Sequence, residues 1–266
     1  MEYGTVRAMH GVTTRRALLG VAGGTVLAAG ALSPAIAQAR DLVVYTEPTL
    51  KPAMRQLGQL WRASAGARVN IFVARTELHL AQIERGTRCD VLVGLAGEAM
   101  DDAKTDKLIK AATIMPVFRN ALVLVARDGA TDSAANLATA LADRKLAIAD
   151  PARDVGASYG LAALDKAGVN VDPESDSVAV AENSTGVLRM LLDNKAQIGL
   201  VYATDAAQRP TFKIVLALSA SSHPAIEYVA AEAVNAQSDT RPFLQFLKSG
   251  QARGVLAPAG LQPIGD

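Results

Sequence analysis

A nucleophile needs a base beside it, and this sequence offers few. It holds three histidines, His10, His79 and His223, and one cysteine, Cys89. Cys89 follows Arg88 and precedes the apolar run Val91-Leu92-Val93, the setting of a half-buried structural thiol rather than a reactive one. A carboxylate pair, Glu47 and Glu77, is the nearest approach to acid–base machinery. The chain has no Gly-x-Ser-x-Gly elbow, no metal-spaced His/Cys cluster and no phosphate-binding glycine loop, so catalysis, a metal and a cofactor are not expected. The more informative stretch is Gly199-Leu200-Val201-Tyr202-Ala203-Thr204-Asp205-Ala206. Leu200 and Val201 read as a buried strand with Tyr202 at its end, and Thr204 or Asp205 is placed to cap the next segment. A phenol at the carboxyl end of a strand meets a ligand in an α/β crevice or packs against its own lobe.

The elements that would position these residues alternate. Leu42 to Tyr45 is a strand, and Leu50 to Ser64 a helix with Leu50, Met54, Leu57, Leu60 and Trp61 on one face, ended by Gly66. Val69 to Val73 is the next strand. A helix opening at Thr76 or Glu77 turns Leu78, Leu80, Ala81 and Ile83 inward and closes at Gly86, and Asp90 to Val93 is a third strand. Asn120 to Ala126 is a further strand, followed by a polar crossover, Arg127 to Asn136, into a second βα series. That series runs through Leu146–Ala149, a helix from about Gly156, Val178–Val180, a helix from Thr185 and the Gly199 stretch. Lys213–Leu218, Glu227–Glu232 and a helix over Phe243–Lys248 bring the chain back. Strands separated by helices of this length indicate parallel βαβ units in a layered α/β fold.

Half of the 266 residues are hydrophobic, ample for a core, and the net charge is +1, with no basic stripe to suggest nucleic acid. The first 39 residues stand apart. Arg15-Arg16 precede a Gly/Ala-rich apolar run, Val21 to Leu32, and small-x-small sites end at Ala37 and Ala39. This is the pattern of a secretory signal, and the paired arginines resemble a twin-arginine one. About 12 apolar residues are too few to span a bilayer. Three of the 27 basic residues and one of the 26 acidic residues lie in this segment, which leaves a net charge of −1 beyond it. Anion binding must therefore come from a local site.

Seven blocks carry a resemblance that covers nearly all of the chain after the signal. They are the strand-loop-helix from Asp41; Leu80 to Val91, with Ile83-Glu84-Arg85-Gly86 and Asp90-Val91; and Asn120 to Ala126. Then come Leu146 to Pro151 with Tyr159, Ala181-Glu182-Asn183, Gly199 to Ala206, and Phe243 to Leu247. In this order they resemble the periplasmic molybdate-binding proteins, the substrate-binding components of molybdate ABC transporters. The resemblance implies a type II periplasmic-binding-protein fold, α/β in class, with two lobes of mostly parallel sheet flanked by helices and a ligand cleft between them. Residues 40–125 plus 217–266 would form lobe 1, and residues 126–216 lobe 2. It also implies a monomer that binds a molybdate- or tungstate-type oxyanion and hands it to an ABC permease, its only link to the membrane. Hydroxyls and helix N-terminal N–H groups, rather than a countercharge, would hold the ligand.

Carried over position by position, the ligand set becomes Thr49, Thr76, Val155 and Tyr202. Thr49 keeps the hydroxyl of the family's first loop, and it could equally be a plain N-cap. Thr76 is the only hydroxyl in Ala74-Arg75-Thr76-Glu77, where the family has a Gly-Ser-Ser-Gly-like turn. Val155 and Gly156 stand where the family presents backbone amides, with Asp154 placed to cap their helix. Tyr202 matches the ligand-contacting tyrosine, while Tyr159 reads as packing and Asp205 as a cap or hinge brace. Two departures bear on the ligand. Glu47-Pro48 replaces small residues, and a carboxylate there is unfavourable for a dianion unless it points away. Arg75 would either clamp the anion or pair with Glu47 or Glu77. A different anion or a small organic acid is the alternative ligand that these departures raise.

Overall fold

The computed structural model describes residues 40–127 and 133–264. The expected signal segment and part of the polar crossover fall outside them. The chain opens with β1 (Leu42–Thr46), α1 (Lys51–Ala65), β2 (Val69–Val73), α2 (Thr76–Glu84), β3 (Val91–Leu95), α3 (Glu98–Thr105) and β4 (Met115–Asn120). It continues through β5 (Leu122–Arg127), α4 (Leu137–Leu141), β6 (Leu146–Ala149), α5 (Val155–Lys166), β7 (Val178–Ala181), α6 (Ser184–Leu192), β8 (Ile198–Tyr202), α7 (Ala203–Ala207) and β9 (Phe212–Ala217). The last elements are β10 (Ile226–Glu232), α8 (Arg241–Leu247), α9 (Gly250–Leu256) and β11 (Gln262–Pro263).

The strands form two sheets, one in the order β11-β4-β10-β3-β1-β2 and one in the order β7-β6-β8-β5-β9. In each, three strands pair in parallel, β2-β1-β3 in the first and β7-β6-β8 in the second. Antiparallel partners complete both: β10, β4 and β11 in the first sheet, β5 and β9 in the second. Each parallel core comes from βαβ crossovers, whereas β5 and β10 enter from the other sheet and run the opposite way.

The change of sheet falls earlier than expected. β5 pairs with β8 and β9, so the chain leaves the first sheet between Asn120 and Leu122 instead of at residue 125. Ala121 marks the break, because its N–H donates to the Asn120 side chain (2.9 Å) rather than to a neighbouring strand. The return to the first sheet follows β9, which ends at Ala217.

One hydrophobic cluster runs through both sheets, from Leu42, Leu57 and Phe118 to Leu124, Leu200 and Phe243. In α1 the buried positions Ala53, Met54, Leu57 and Trp61 recur at helical spacing, and Gly66 ends the helix with φ 73° and an N–H bond to the Arg62 carbonyl. Trp61 meets Phe243 edge to face at 5.3 Å and so docks α8 onto α1. Two apolar residues expected inward lie outside: Leu60 on α1, and Leu78 on α2, which is 59% exposed. The buried face of α2 is instead Thr76, His79, Leu80 and Ile83, at the i, i+3, i+4, i+7 spacing of one helix face.

Asp90 is fully buried, and it is satisfied. Its carboxylate accepts from the N–H groups of Val43, Gln237 and Ser238 and from Arg88, which ties β1 and the loop after β10 to the start of β3. Cys89 is fully buried rather than half-buried, and burial pushes its thiol up to about 12. It is an inert core residue.

Candidate functional site

The residues singled out as ligand contacts lie in or at the start of the segments after β1, β2 and β6 and at the end of β8, and Thr49 and Asn120 both bond the hydroxyl of Tyr228, on β10. Thr49 lies in the single 3-10 turn Pro48–Leu50 that leads into α1. Its Oγ1 is 2.8 Å from the Tyr228 hydroxyl, so it does not cap the helix. Asn120 donates from Nδ2 to the same phenol and to Thr204 Oγ1, both at 3.1 Å. Either hydroxyl can donate in the Thr49–Tyr228 bond, so the Thr49 proton is available to a ligand only where the phenol is the donor. Burial drives the Tyr228 pKa well above the ordinary tyrosine range, and the carboxylates of Glu47 and Asp205 nearby push it further.

In the second sheet Tyr202 ends β8 as expected. Its phenol accepts from the Gly156 N–H at 2.8 Å, in the first turn of α5. The approach is so close that a Cβ on Gly156 would stand 2.4 Å from Tyr202 Cζ, so only glycine fits against this ring. Burial first, and the Asp154 carboxylate second, hold this phenol firmly protonated. Asp154 caps α5, its Oδ1 accepting from Ala157 N at 3.0 Å. Val155, at the first helical position and 40% exposed, has a backbone N–H without an acceptor among the described residues. The site thus holds one unshared amide at a helix N-terminus, the arrangement that suits an anion.

Thr204 and Asp205 do not cap α7. Tyr202 is its N-cap residue, without a side-chain bond, because Thr204 is drawn to Asn120. The Asp205 carboxyl is pushed up to about 6, chiefly by burial, against a hydrogen bond from Ser184 and the charge of Arg209; its Oδ2 is buried without a partner among the described residues.

The first-sheet loops hold the main surprise. Thr76 is buried, and both of its donors go to one acceptor: its N–H meets Glu47 Oε1 at 2.7 Å, and its hydroxyl bonds the same oxygen. Thr76 Oγ1 also accepts from Leu95 N at 3.3 Å and packs under Gly94. Glu47 therefore does not point away from the expected seat but turns onto it. Burial raises its pKa, the Thr76 bonds oppose the rise, Glu77 adds to it and Arg75 subtracts from it. Arg75 pairs with Glu77 at 3.4 Å, and both side chains are 60% exposed. Glu47 and Glu77 therefore face different surroundings. Nearby, His79 Nε2 is 3.1 Å from the Thr46 carbonyl, and burial lowers its pKa, so it stays neutral.

Glu47, Asp154 and Asp205 bring three carboxylates to a place expected to receive an anion, each held by a local donor. Sequence reasoning missed Tyr228 and Asn120. Tyr228 does lie on the inward face of an alternating strand, Ile226-Glu227-Tyr228, which is the one local signal that could have raised it.

A double-sheet α/β frame with helix N-termini and hydroxyls gathered where the sheets meet is the frame of a solute-binding protein. The chain belongs to the family described as bacterial extracellular solute-binding protein, whose pattern it matches over residues 42–262. It is 29% identical to the molybdate-binding protein ModA of Escherichia coli over 252 residues, 92% of this chain and 98% of that one. To ModA of Haemophilus influenzae it is 27% identical, over 89% and 95% of the two chains. Among solved structures, the fold is similar to the substrate-binding domain of a putative molybdenum ABC transporter from Clostridium difficile, with a TM-score of 0.76 at 19% identity, covering 85% of this chain and all of that one. It is also similar to the periplasmic molybdate-binding protein of Azotobacter vinelandii, with a TM-score of 0.66 at 16% identity and the same coverage.

Proposed function

We propose that this protein captures a tetrahedral oxyanion of the molybdate or tungstate type outside the cytoplasm and delivers it to an ABC permease. The observation that carries this reading is the Val155 N–H, an unshared donor at the head of α5, next to the Gly156 N–H that the Tyr202 phenol binds. Identity to two molybdate-binding proteins over nearly the whole chain supports the same ligand. Thr49, Thr76, Val155 and Tyr202 are its contacts, with Gly156 holding Tyr202 in place and Arg75 outside the first rank. The two sheets serve as lobes of a monomer that close on the anion. Residues 1–39 direct export by the twin-arginine route, with cleavage after Ala37 or Ala39. Selection then rests on size and on the number of hydrogen bonds, since every oxygen buried on closure needs a donor.

A thermal-shift series tests this. Molybdate, tungstate, sulfate, phosphate and several carboxylates are each added at matched ionic strength. A true ligand at a thousand times its Kd stabilises by about 4 kcal/mol, a shift that cannot be missed. A response to molybdate and tungstate alone is expected. A response confined to a carboxylate or to phosphate would replace this ligand with another anion.

A further inference from the structure

We propose that Glu47 is the specificity- and affinity-setting residue of this site: its carboxylate occupies the donor pair of Thr76 at the head of α2, so an oxyanion gains that seat only by displacing it. This rests on the oxyanion reading above.

Four observations carry it. A helix N-terminus presents N–H groups and a partial positive charge to whatever anion lies there, and α2, with nine residues, is long enough to do so. The anion that lies there is part of the chain. Glu47 Oε1 takes both the N–H and the hydroxyl of Thr76, the pair of bonds that an oxyanion oxygen would take. Second, no other free donor remains on Thr76, because its N–H and its hydroxyl proton both go to Glu47 while its oxygen accepts from Leu95 N. Third, Glu47 is not neutralised by a partner of its own. The cation beside it, Arg75, is turned to Glu77 at the surface. Fourth, the groups that act on Glu47 favour a displaceable carboxylate: Glu77 from α2 repels it, and Tyr228 from β10, which feels its charge, is a neutral phenol.

The arrangement has two consequences. A ligand oxyanion must compete with an internal acceptor whose effective concentration is high, so the affinity is lower than the same donors would give with an empty seat. Protonation of Glu47 weakens the competitor and removes its repulsion of an anion, so oxyanion binding tightens as the pH falls toward the carboxyl range.

The test is isothermal titration with molybdate or tungstate, and with sulfate as a second probe, on the unaltered protein, Glu47→Ala and Glu47→Gln. Titrations run between about pH 8 and about pH 5, within the range where the added oxyanion keeps its charge. Glu47→Ala empties the seat and should bind about ten- to a hundredfold more tightly, the worth of one charge-assisted hydrogen bond regained. Glu47→Gln keeps the acceptor oxygen but not the charge, so its gain should be smaller. It also guards against the case in which the alanine variant fails to fold. The affinity of the unaltered protein should rise as the pH falls, and the rise should be smaller in Glu47→Ala, where Asp205 still titrates. Equal affinities and equal pH profiles would overturn the proposal and leave the oxyanion reading standing, as would weaker binding by both variants. If no oxyanion binds any of the three proteins, the oxyanion reading falls and this inference falls with it. Binding by Glu47→Ala alone would support both.

Discussion

Replacing Gly156 with alanine should destabilise this protein, although in most helices the same change does the opposite. Alanine in place of glycine within a helix ordinarily gains about 0.5–1 kcal/mol, because glycine loses more backbone freedom on folding. Here an added Cβ would stand 2.4 Å from Tyr202 Cζ and 2.7 Å from both Cε1 and the phenol oxygen. Real Cβ contacts are essentially never that close, so the ring or the head of α5 must move. The ring is buried at the end of β8 and held by the Gly156 N–H itself, so it has little room to swing aside. Overpacking of this kind costs about 1–3 kcal/mol, and the strained phenol bond adds about 1 kcal/mol. The balance is a net loss of about 1–3 kcal/mol, or roughly 2–10 °C in Tm for a chain of this size.

Urea unfolding followed by far-ultraviolet circular dichroism gives the sign directly. A double-mutant cycle gives the cause. In a Tyr202→Leu background the clash is gone, and Gly156→Ala should become neutral or stabilising. If Gly156→Ala stabilises the protein with Tyr202 in place, the ring does not lie against this turn. The pairing of α5 with Tyr202 would then be wrong, and the placement of the Val155 amide would be wrong with it.

Tyr202→Phe should weaken oxyanion binding by about 1.5–3 kcal/mol, the worth of one hydrogen bond to a charged group, in a titration with molybdate or tungstate; an unchanged Kd removes Tyr202 from the site. Arg75→Ala should leave affinity and stability within about 0.5 kcal/mol, since an exposed Arg75–Glu77 pair is worth little, whereas a clear fall in affinity that shrinks at high salt would make Arg75 a clamp. Asp205→Asn should change the pH dependence of stability. The folded protein holds the Asp205 proton up to about 6 and the unfolded chain only to 3.8, so this group's contribution is fully present below 3.8 and lost as the pH rises through about 6. That loss is at most about 3 kcal/mol, and urea unfolding across this window should show it in the unaltered protein and not in Asp205→Asn.

The α/β class and most elements were legible because they depend on neighbours within a turn or two. Periodic apolar residues such as Ala53, Met54, Leu57 and Trp61 declare a helix, and Leu42 to Tyr45 a buried strand. Asp154 declared its cap three residues from the N–H it binds. Tyr202 at the end of β8 followed from the same local logic. Leu78 misled because periodicity names a face without saying what packs on it; the turn that places Thr76 and His79 inward leaves Leu78 outside.

The chemistry at the site depends on partners far apart in the chain, and there local pattern is silent. Glu47 reaches Thr76 across 29 positions, Asn120 reaches Thr204 across 84, and Thr49 reaches Tyr228 across 179. From spacing alone Glu47 could only be flagged as a charge that ought to point away from an anion. That expectation treated the carboxylate and the helix N-terminus as separate features. In the folded chain each is the other's nearest solution: α2 begins without a side-chain cap from Arg75, its buried Thr76 N–H needs an acceptor, and the carboxylate one strand away supplies it. A residue that looked hostile to the ligand is therefore explained first by the backbone it satisfies. If Glu47 is displaced as proposed, an oxyanion bound here must first take that acceptor away.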